Sequence, residues 1–247
     1  MAPRIFSPRF CDFPNACYRR RDLILKRGFF ILLALLVSVL SAEAKSRRSA
    51  KKSRTPSPPA IQKNYSNTPF STVVVDAGHG GRDDGGIPQN LLSEKQATLD
   101  VALRLDKELK KAGFKTVLTR RKDVFIPLDS RAAIANSHPG AVFVSIHFDS
   151  SPKRTPRGVD VHYATPGEAP LAATILRHLA KTTDGTNRGI KRARFCVLRK
   201  TRSRAVLAEC GFLTNRTDAD MVRKASYRQK LAKALCTGIV EYRNTLR

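Results

Sequence analysis

Four residues combine metal-binding or proton-transfer chemistry with a position at the end of a strand or the start of a helix: His79, Glu94, His147 and Glu209. Each histidine follows a β-rich run, 73–75 or 143–146, and the second glutamate follows the apolar run 206–208. If these strands are neighbours, the side chains emerge at one edge, where open α/β sheets place their sites. Two histidines and one carboxylate suit a catalytic zinc ion that keeps its fourth position for water.

Taken singly, these residues have ordinary structural explanations. Glu94 could cap the first turn of a helix, and His147 could be a hydrogen-bonded core histidine. Their combination favours a site. We expect the remaining histidines, His138, His162 and His178, to be structural. Of these three, only His162 lies on a predicted strand that could approach the site.

The strands and helices that carry these four residues are predicted by the pattern of apolar residues. Apolar and β-branched runs predict strands at 72–75, 114–118, 141–146, 159–163 and 205–208. Apolar residues at helical spacing predict helices at 93–112, 131–137, 171–181 and 227–244. Continuous apolar strands separated by helices indicate a mainly parallel sheet with helices on both faces. We therefore predict a single α/β domain.

The N-terminal part of the chain differs from this pattern. Five Lys or Arg residues at positions 19–27 precede the apolar run 29–40, and Ala42-Glu43-Ala44 then offers the small residues that signal peptidase requires. The run is shorter than the roughly 20 residues of a membrane-spanning helix. We predict a signal peptide at 1–44, with an uncleaved anchor as the alternative, and export to the periplasm or cell envelope. Residues 45–68 are basic and rich in Ser and Pro, which predicts a disordered linker before a catalytic domain at 69–247.

The charge of the chain narrows the choice of partner. Lys and Arg number 46 against 20 Asp and Glu, a formal net charge of +26. Such an excess suits an anionic polymer, an anionic surface or a nucleic acid. Export, the lack of an aromatic stacking set and the absence of Trp argue against a nucleic acid. We expect weak contact with an anionic wall or membrane surface, and the sequence leaves the oligomeric state open.

Several longer motifs contain the four residues or lie between them: 75–81 (VDAGHGG), 93–94 (SE), 118–120 (LTR), 127–136 (PLDSRAAIAN), 144–147 (VSIH) and 209–215 (ECGFLTN). Together they resemble the zinc-dependent N-acetylmuramoyl-L-alanine amidases of the Amidase_3 family, in the family's order and over nearly all of 71–243. The resemblance implies an α/β fold with a six-stranded sheet. It also implies one Zn²⁺ held by His79, Glu94 and His147, and Glu209 as the catalytic acid. The substrate would be peptidoglycan or muropeptides, cleaved between N-acetylmuramic acid and L-alanine.

These roles predict a mechanism and some supporting residues. Zinc lowers the pKa of a water to roughly 7, and Glu209 would accept the water's proton and pass it to the leaving nitrogen. Asp76 is a candidate to orient His79. Three arginines are candidates to bind peptide carboxylates, although solvated surface charge is the more ordinary explanation for any one of them: Arg82, Arg131 and Arg157.

One segment departs from the family's pattern and leaves alternatives open. Residues 148–150 read Phe-Asp-Ser where the family commonly has Ala-Asn-Ala, which alters the cleft wall. Ser150 and Lys153 have the S-x-x-K spacing of penicillin-binding enzymes, although Pro152 disfavours the helical turn that would stack them. The alternatives are another zinc peptidoglycan peptidase, a bifunctional enzyme with penicillin-sensitive D,D-carboxypeptidase activity at Ser150, and a wall-binding protein without activity.

Overall fold

The computed structural model describes residues 63, 65–86, 92–183 and 186–246. The predicted signal peptide and most of the predicted linker lie outside these residues. The described strands are β1 (Thr72–Ala77), β2 (Lys115–Leu118), β3 (Val142–Asp149), β4 (Val159–Tyr163), β5 (Asn187–Arg192) and β6 (Ala205–Phe212). The described helices are α1 (Glu94–Lys111), α2 (Leu128–Asn136), α3 (Ala169–Ala180), α4 (Cys196–Lys200), α5 (Arg216–Arg223) and α6 (Ala225–Asn244).

Within the described residues the six strands form one sheet in the order β2-β1-β3-β6-β4-β5. Every neighbouring pair is parallel except β4 and β6, which are antiparallel. The prediction of a mainly parallel sheet is confirmed, as is the six-stranded α/β fold that the family resemblance implied. The pairing of β1 with β3 brings the ends of the two strands that carry the histidines side by side, with Ala77 opposite Ile146.

Helices cover both faces of the sheet, as predicted. Side chains along a strand alternate between the two faces. On β1, Val73 and Val75 belong to the larger apolar cluster, which includes buried residues of α1, α3 and α6. Val74 points to the other face, into a smaller cluster with residues of α2 and α4. Among the described helices, none is long and apolar enough to cross a membrane.

Helix α1 begins where the sequence placed its cap. Ser93 is the N-cap, and its backbone N–H donates a hydrogen bond to the Gln96 side chain at 3.1 Å, as in a capping box. Glu94 is therefore the first helical residue. From this position its carboxylate reaches the residues that follow β1 and the end of β3, His79 and His147, at 2.9 Å.

The folded unit begins earlier than predicted. Lys63, which composition placed in the linker, is buried and donates 2.7 Å hydrogen bonds to Glu168 Oε1 and to the Leu198 carbonyl. The Tyr65 hydroxyl also donates to Glu168 Oε1, at 2.7 Å. The predicted boundary between residues 68 and 69 is therefore wrong, because a basic and an aromatic side chain bind a buried carboxylate of the domain.

Candidate metal centre and catalytic pocket

Three side chains converge at the edge of the sheet between β1 and β3. His79 Nε2 and His147 Nδ1 each lie 2.9 Å from Glu94 Oε1. The two imidazole rings meet edge to face, with centroids 4.8 Å apart. One ligand atom from each of these residues lies within 4.8 Å of the others, so the three side chains could hold a metal ion.

The backbone around His79 is adapted to this convergence. The backbone of His79 has φ +58°, in the left-handed region that residues other than glycine rarely adopt. The preceding residue, Gly78, has no room for a side chain, because a Cβ there would lie 2.4 Å from the His147 ring. The glycine-rich loop after β1 is therefore needed to bring the two rings together.

Further groups orient the ligand side chains from outside the centre. His79 Nδ1 lies 2.9 Å from Asp83 Oδ1, which leaves Nε2 directed at the centre. The backbone N–H groups of Gly86 and Phe148 donate to the two oxygens of Glu94, at 2.7 and 3.1 Å. Both carboxylate oxygens of Glu94 are thereby fixed in place.

The electrostatics of the three residues follow from their contacts. Burial lowers the pKa of His79, but hydrogen bonds and charges from Asp83 and Glu94 outweigh burial and raise this pKa to about 9. Burial raises the pKa of Glu94, but hydrogen bonds from His147 and His79 outweigh it and hold the pKa far below its usual range. The centre without metal therefore keeps a carboxylate anion, and His79 holds a proton that a metal ion must displace.

Glu209 lies beside this centre. On β6 it pairs in register with His147 on β3 and with Asp160 on β4. Its Oε2 is buried and lacks a hydrogen-bond partner within the described part of the chain. Burial, with the negative charges of Glu94 and two aspartates, raises the pKa of Glu209 well above its usual range. Such a carboxyl group is suited to proton transfer.

A cavity of about 330 Å³ opens onto these residues. Its walls are mainly apolar and come from the 125–128 segment and from residues 195–197 at the start of α4. His79, Glu94, His147 and Glu209 all contribute to its lining. The metal centre and the candidate proton carrier therefore share one partly apolar pocket, which is the usual setting of an active site.

Comparison with known proteins relates this site to others. Residues 73–241 match the Amidase_3 family, described as N-acetylmuramoyl-L-alanine amidase. The chain belongs to this family. It is 36% identical over 175 residues to the N-acetylmuramoyl-L-alanine amidase LytC of Bacillus subtilis, covering 69% of this chain and 35% of LytC.

Two further proteins extend the comparison. The chain is 36% identical over 174 residues to the "Probable cell wall amidase LytH" of Staphylococcus epidermidis, covering 69% of this chain and 58% of that relative. The chain therefore spans only part of these relatives. The solved catalytic domain of CwlV, an N-acetylmuramoyl-L-alanine amidase from Bacillus (Paenibacillus) polymyxa var. colistinus, superposes with a TM-score of 0.69 and 32% identity, covering 72% of this chain and all of that domain.

In this Amidase_3 domain the prediction that Asp76 orients His79 is wrong. The carboxylate of Asp76 is fully buried and accepts hydrogen bonds of 2.7 to 2.8 Å from Thr119, Arg131 and Ser145. Asp76 therefore binds side chains that surround the metal centre and does not contact the ring of His79. Asp83 contacts that ring instead. The four-residue spacing of His79 and Asp83 within a glycine-rich loop was the available signal for this contact.

Arg131 has a different role from the one proposed. Its side chain is only 3% exposed, and its nitrogens donate to the carbonyls of Ala77, His79 and Ile126 at 2.5 to 2.9 Å. Arg131 therefore supports the backbone that carries His79 and is not available to a peptide carboxylate. Arg157 pairs with Asp218 at 3.3 Å, away from the pocket lining.

The remaining candidates divide between pocket and surface. Arg82 is exposed, and its guanidinium carbon lies 3.8 Å from the ring centroid of Phe125, a pocket residue. Ser150 lines the pocket, whereas Lys153 is exposed and outside the lining. Residues 150–153 form a loop, so the helical turn that would stack Lys153 on Ser150 is not formed.

Proposed function

We propose that this Amidase_3 domain is a zinc-dependent N-acetylmuramoyl-L-alanine amidase. The observation that carries the proposal is the convergence of His79, Glu94 and His147 beside Glu209 in one pocket. The names of the related proteins support the same activity. The bond cleaved is the amide between N-acetylmuramic acid and L-alanine in peptidoglycan or muropeptides.

The donor set fits one zinc ion. Two imidazole nitrogens and one carboxylate oxygen are a ligand set of catalytic zinc, which leaves a fourth position open. Asp83 behind His79 and the N–H groups on Glu94 supply the outer contacts that usually fix such ligands. When bound, zinc supplies a Lewis acid for the scissile carbonyl and makes water more acidic.

Glu209 carries the proton in this proposal. It would accept a proton from the attacking water and deliver it to the leaving nitrogen. A C–O bond forms, the C–N bond breaks, and the products are a muramoyl carboxylate and the free amine of L-alanine. A raised pKa suits this role, because the carboxyl group must hold the proton between the two transfers.

The setting of the reaction is also part of the proposal. We infer that the protein acts outside the cytoplasm, in the periplasm or cell envelope, in keeping with the name of its cell wall relatives. The positive charge of the chain favours weak contact with an anionic wall or membrane surface. A D,D-carboxypeptidase activity at Ser150 is not favoured, because residues 150–153 form a loop.

The ligand roles are tested by His79→Ala and His147→Ala, with His178→Ala as the matched control. His178 lies on α3 and pairs with Glu241 at 2.7 Å, outside the pocket lining. Each ligand variant should lose zinc, measured by elemental analysis, and muropeptide hydrolysis with it, because two remaining ligands bind the ion weakly. The control should keep both. A ligand variant with stoichiometric zinc and near-normal turnover would contradict the assignment.

A further inference from the structure

A charged cluster lies next to Glu209 on the side away from the metal centre. Asp160 on β4 pairs in register with Glu209, and Lys191 on β5 pairs in register with His162. Register partners on neighbouring strands point to the same face of a sheet, and so do residues two apart on one strand. Asp160, His162 and Lys191 therefore share the sheet face of Glu209.

Asp160 holds two cations in this cluster. Its carboxylate is fully buried, accepts a hydrogen bond from the Lys191 ammonium group and lies 3.5 Å from Arg188 Nε. The guanidinium carbon of Arg188 also lies 4.8 Å from the ring centroid of Phe212. Both cations are thus fixed in position by contacts on the sheet.

The two cations still have capacity for another anion. Their side chains remain 35% exposed for Arg188 and 39% exposed for Lys191. Arginine and lysine side chains carry several N–H donors, and the one carboxylate of Asp160, which also lies 2.8 Å from His162 Nε2, cannot occupy all of them. The charge of Lys191 also reaches the pocket, where it opposes the rise in the pKa of Glu209 and of Asp149.

We propose that Arg188 and Lys191 bind a carboxylate of the stem peptide, on the leaving-group side of the scissile amide. The inference rests on the proposed function. Since Glu209 delivers its proton to the leaving nitrogen, the peptide half of the substrate must lie on the Glu209 side of the centre. The next groups along the sheet in that direction are the two cations. Stem peptides carry free carboxylates, and a paired arginine and lysine suit such an anion.

Two soluble substrates test the proposal: N-acetylmuramoyl-L-alanyl-D-glutamate and its diamide, in which both carboxylates are carboxamides. The wild-type protein should cleave the acid with the higher kcat/KM. Arg188→Ala and Lys191→Ala should each lower kcat/KM for the acid roughly three- to tenfold, mainly through KM, which is the scale of a partly exposed charged contact. The diamide should change less than twofold, and Lys191→Arg should keep most of the preference.

Lys110→Ala is the matched control, because Lys110 also pairs with a buried aspartate, Asp106, at 3.0 Å but lies on α1, which packs against β1, β2 and β3. It should leave both substrates unaffected. Equal losses on the acid and the diamide would overturn the proposal, since the cations would then act on the fold or on Glu209. Unchanged kinetics in both alanine variants would overturn it as well. Failure of the wild type to release alanyl peptide from either substrate would instead overturn the proposed function, and the subsite with it.

Discussion

Replacing Glu209 by Gln separates a proton carrier from a metal ligand. Gln keeps the size of the side chain and can donate and accept hydrogen bonds, but it cannot take a proton from water. Positioned acid–base groups contribute roughly 10²–10⁴-fold in rate, so the barrier should rise by about 3–5 kcal/mol. Zinc should stay bound at wild-type stoichiometry, because the close donor atoms in the described residues come from His79, Glu94 and His147.

The same substitution should change stability in a pH-dependent way. The raised pKa of Glu209 means that the folded state binds its proton more tightly than the unfolded state does. That contribution is complete below the unfolded pKa of about 4.3 and is lost as pH rises through the folded pKa. Above the folded pKa the wild type buries a carboxylate oxygen without a partner. Glu209→Gln should therefore be more stable than wild type there by about 1 kcal/mol or more, measured without metal.

The assay needs zinc content, turnover and denaturant unfolding at about pH 5 and pH 8 on the same preparations. Glu241→Gln is the control, because Glu241 is a surface acid on α6 that pairs with Arg177 and His178. It should leave zinc content and turnover unchanged. Loss of zinc by Glu209→Gln would make Glu209 a ligand. Full turnover would place the proton elsewhere, and His162, 2.8 Å from Asp160, would be the next residue to test.

Three further predictions concern the ligands and the folded boundary. Without metal, His79 has a pKa of about 9, and it must lose its proton before it can bind zinc. Zinc affinity, measured by competition titration, should therefore fall about tenfold for each pH unit below 9. An affinity that does not change with pH would contradict this prediction. Gly78→Ala should lose zinc while circular dichroism shows a retained fold, since its Cβ would lie 2.4 Å from the His147 ring; normal zinc content would refute the packing argument. Lys63→Ala should lower the free energy of unfolding by about 2 kcal/mol, which is less than the loss of a fully broken buried pair, because Glu168 keeps other hydrogen-bond donors. Deleting residues 45–62 should leave the free energy of unfolding unchanged. Equal effects of the two changes in denaturant titrations would show that Lys63 has no special role.

The central part of the fold was predictable from the sequence. The runs at the centre of β1, β3 and β6 are almost wholly apolar, with Ser145 in β3 as the exception, because both of their faces are covered, and such runs predict interior strands. Parallel pairing of β1 with β3 then puts both histidines at one edge. This is why the meeting of His79, Glu94 and His147 could be anticipated without coordinates.

The periphery was less predictable for physical reasons. Strand β5 (Asn187–Arg192) is the last strand of the sheet and contains one large apolar side chain, that of Ile190. Its sequence therefore lacks the run or alternation of apolar residues that would predict a strand. The five-residue helix α4 is too short for a helical period to be recognised. The antiparallel direction of β4 depends on the path of the chain between strands. The role of Lys63 was hidden by the composition around it, because its partner Glu168 is far away in sequence.

The substrate-binding residues show the same limit. Arg131 was one of three arginines expected to bind a peptide carboxylate, but its side chain is buried and its donors bind backbone carbonyls. Arg188 and Lys191 lie in a segment without a recognised motif and approach Glu209 only through the pairing of β5, β4 and β6. Which cations face the site is decided by strand order, and that information is not local in the sequence.

Identifying the bond that the purified protein breaks would decide whether it is a zinc-dependent N-acetylmuramoyl-L-alanine amidase. Muropeptides would be incubated with the protein, with and without chelator, and the newly exposed amine would be identified by labelling and mass spectrometry. A zinc-dependent amidase should give a new α-amino group on L-alanine together with an intact stem peptide, no product with chelator, and recovery when zinc is restored. A new amine within the stem, release of D-alanine, or cleavage that is indifferent to chelation would contradict it.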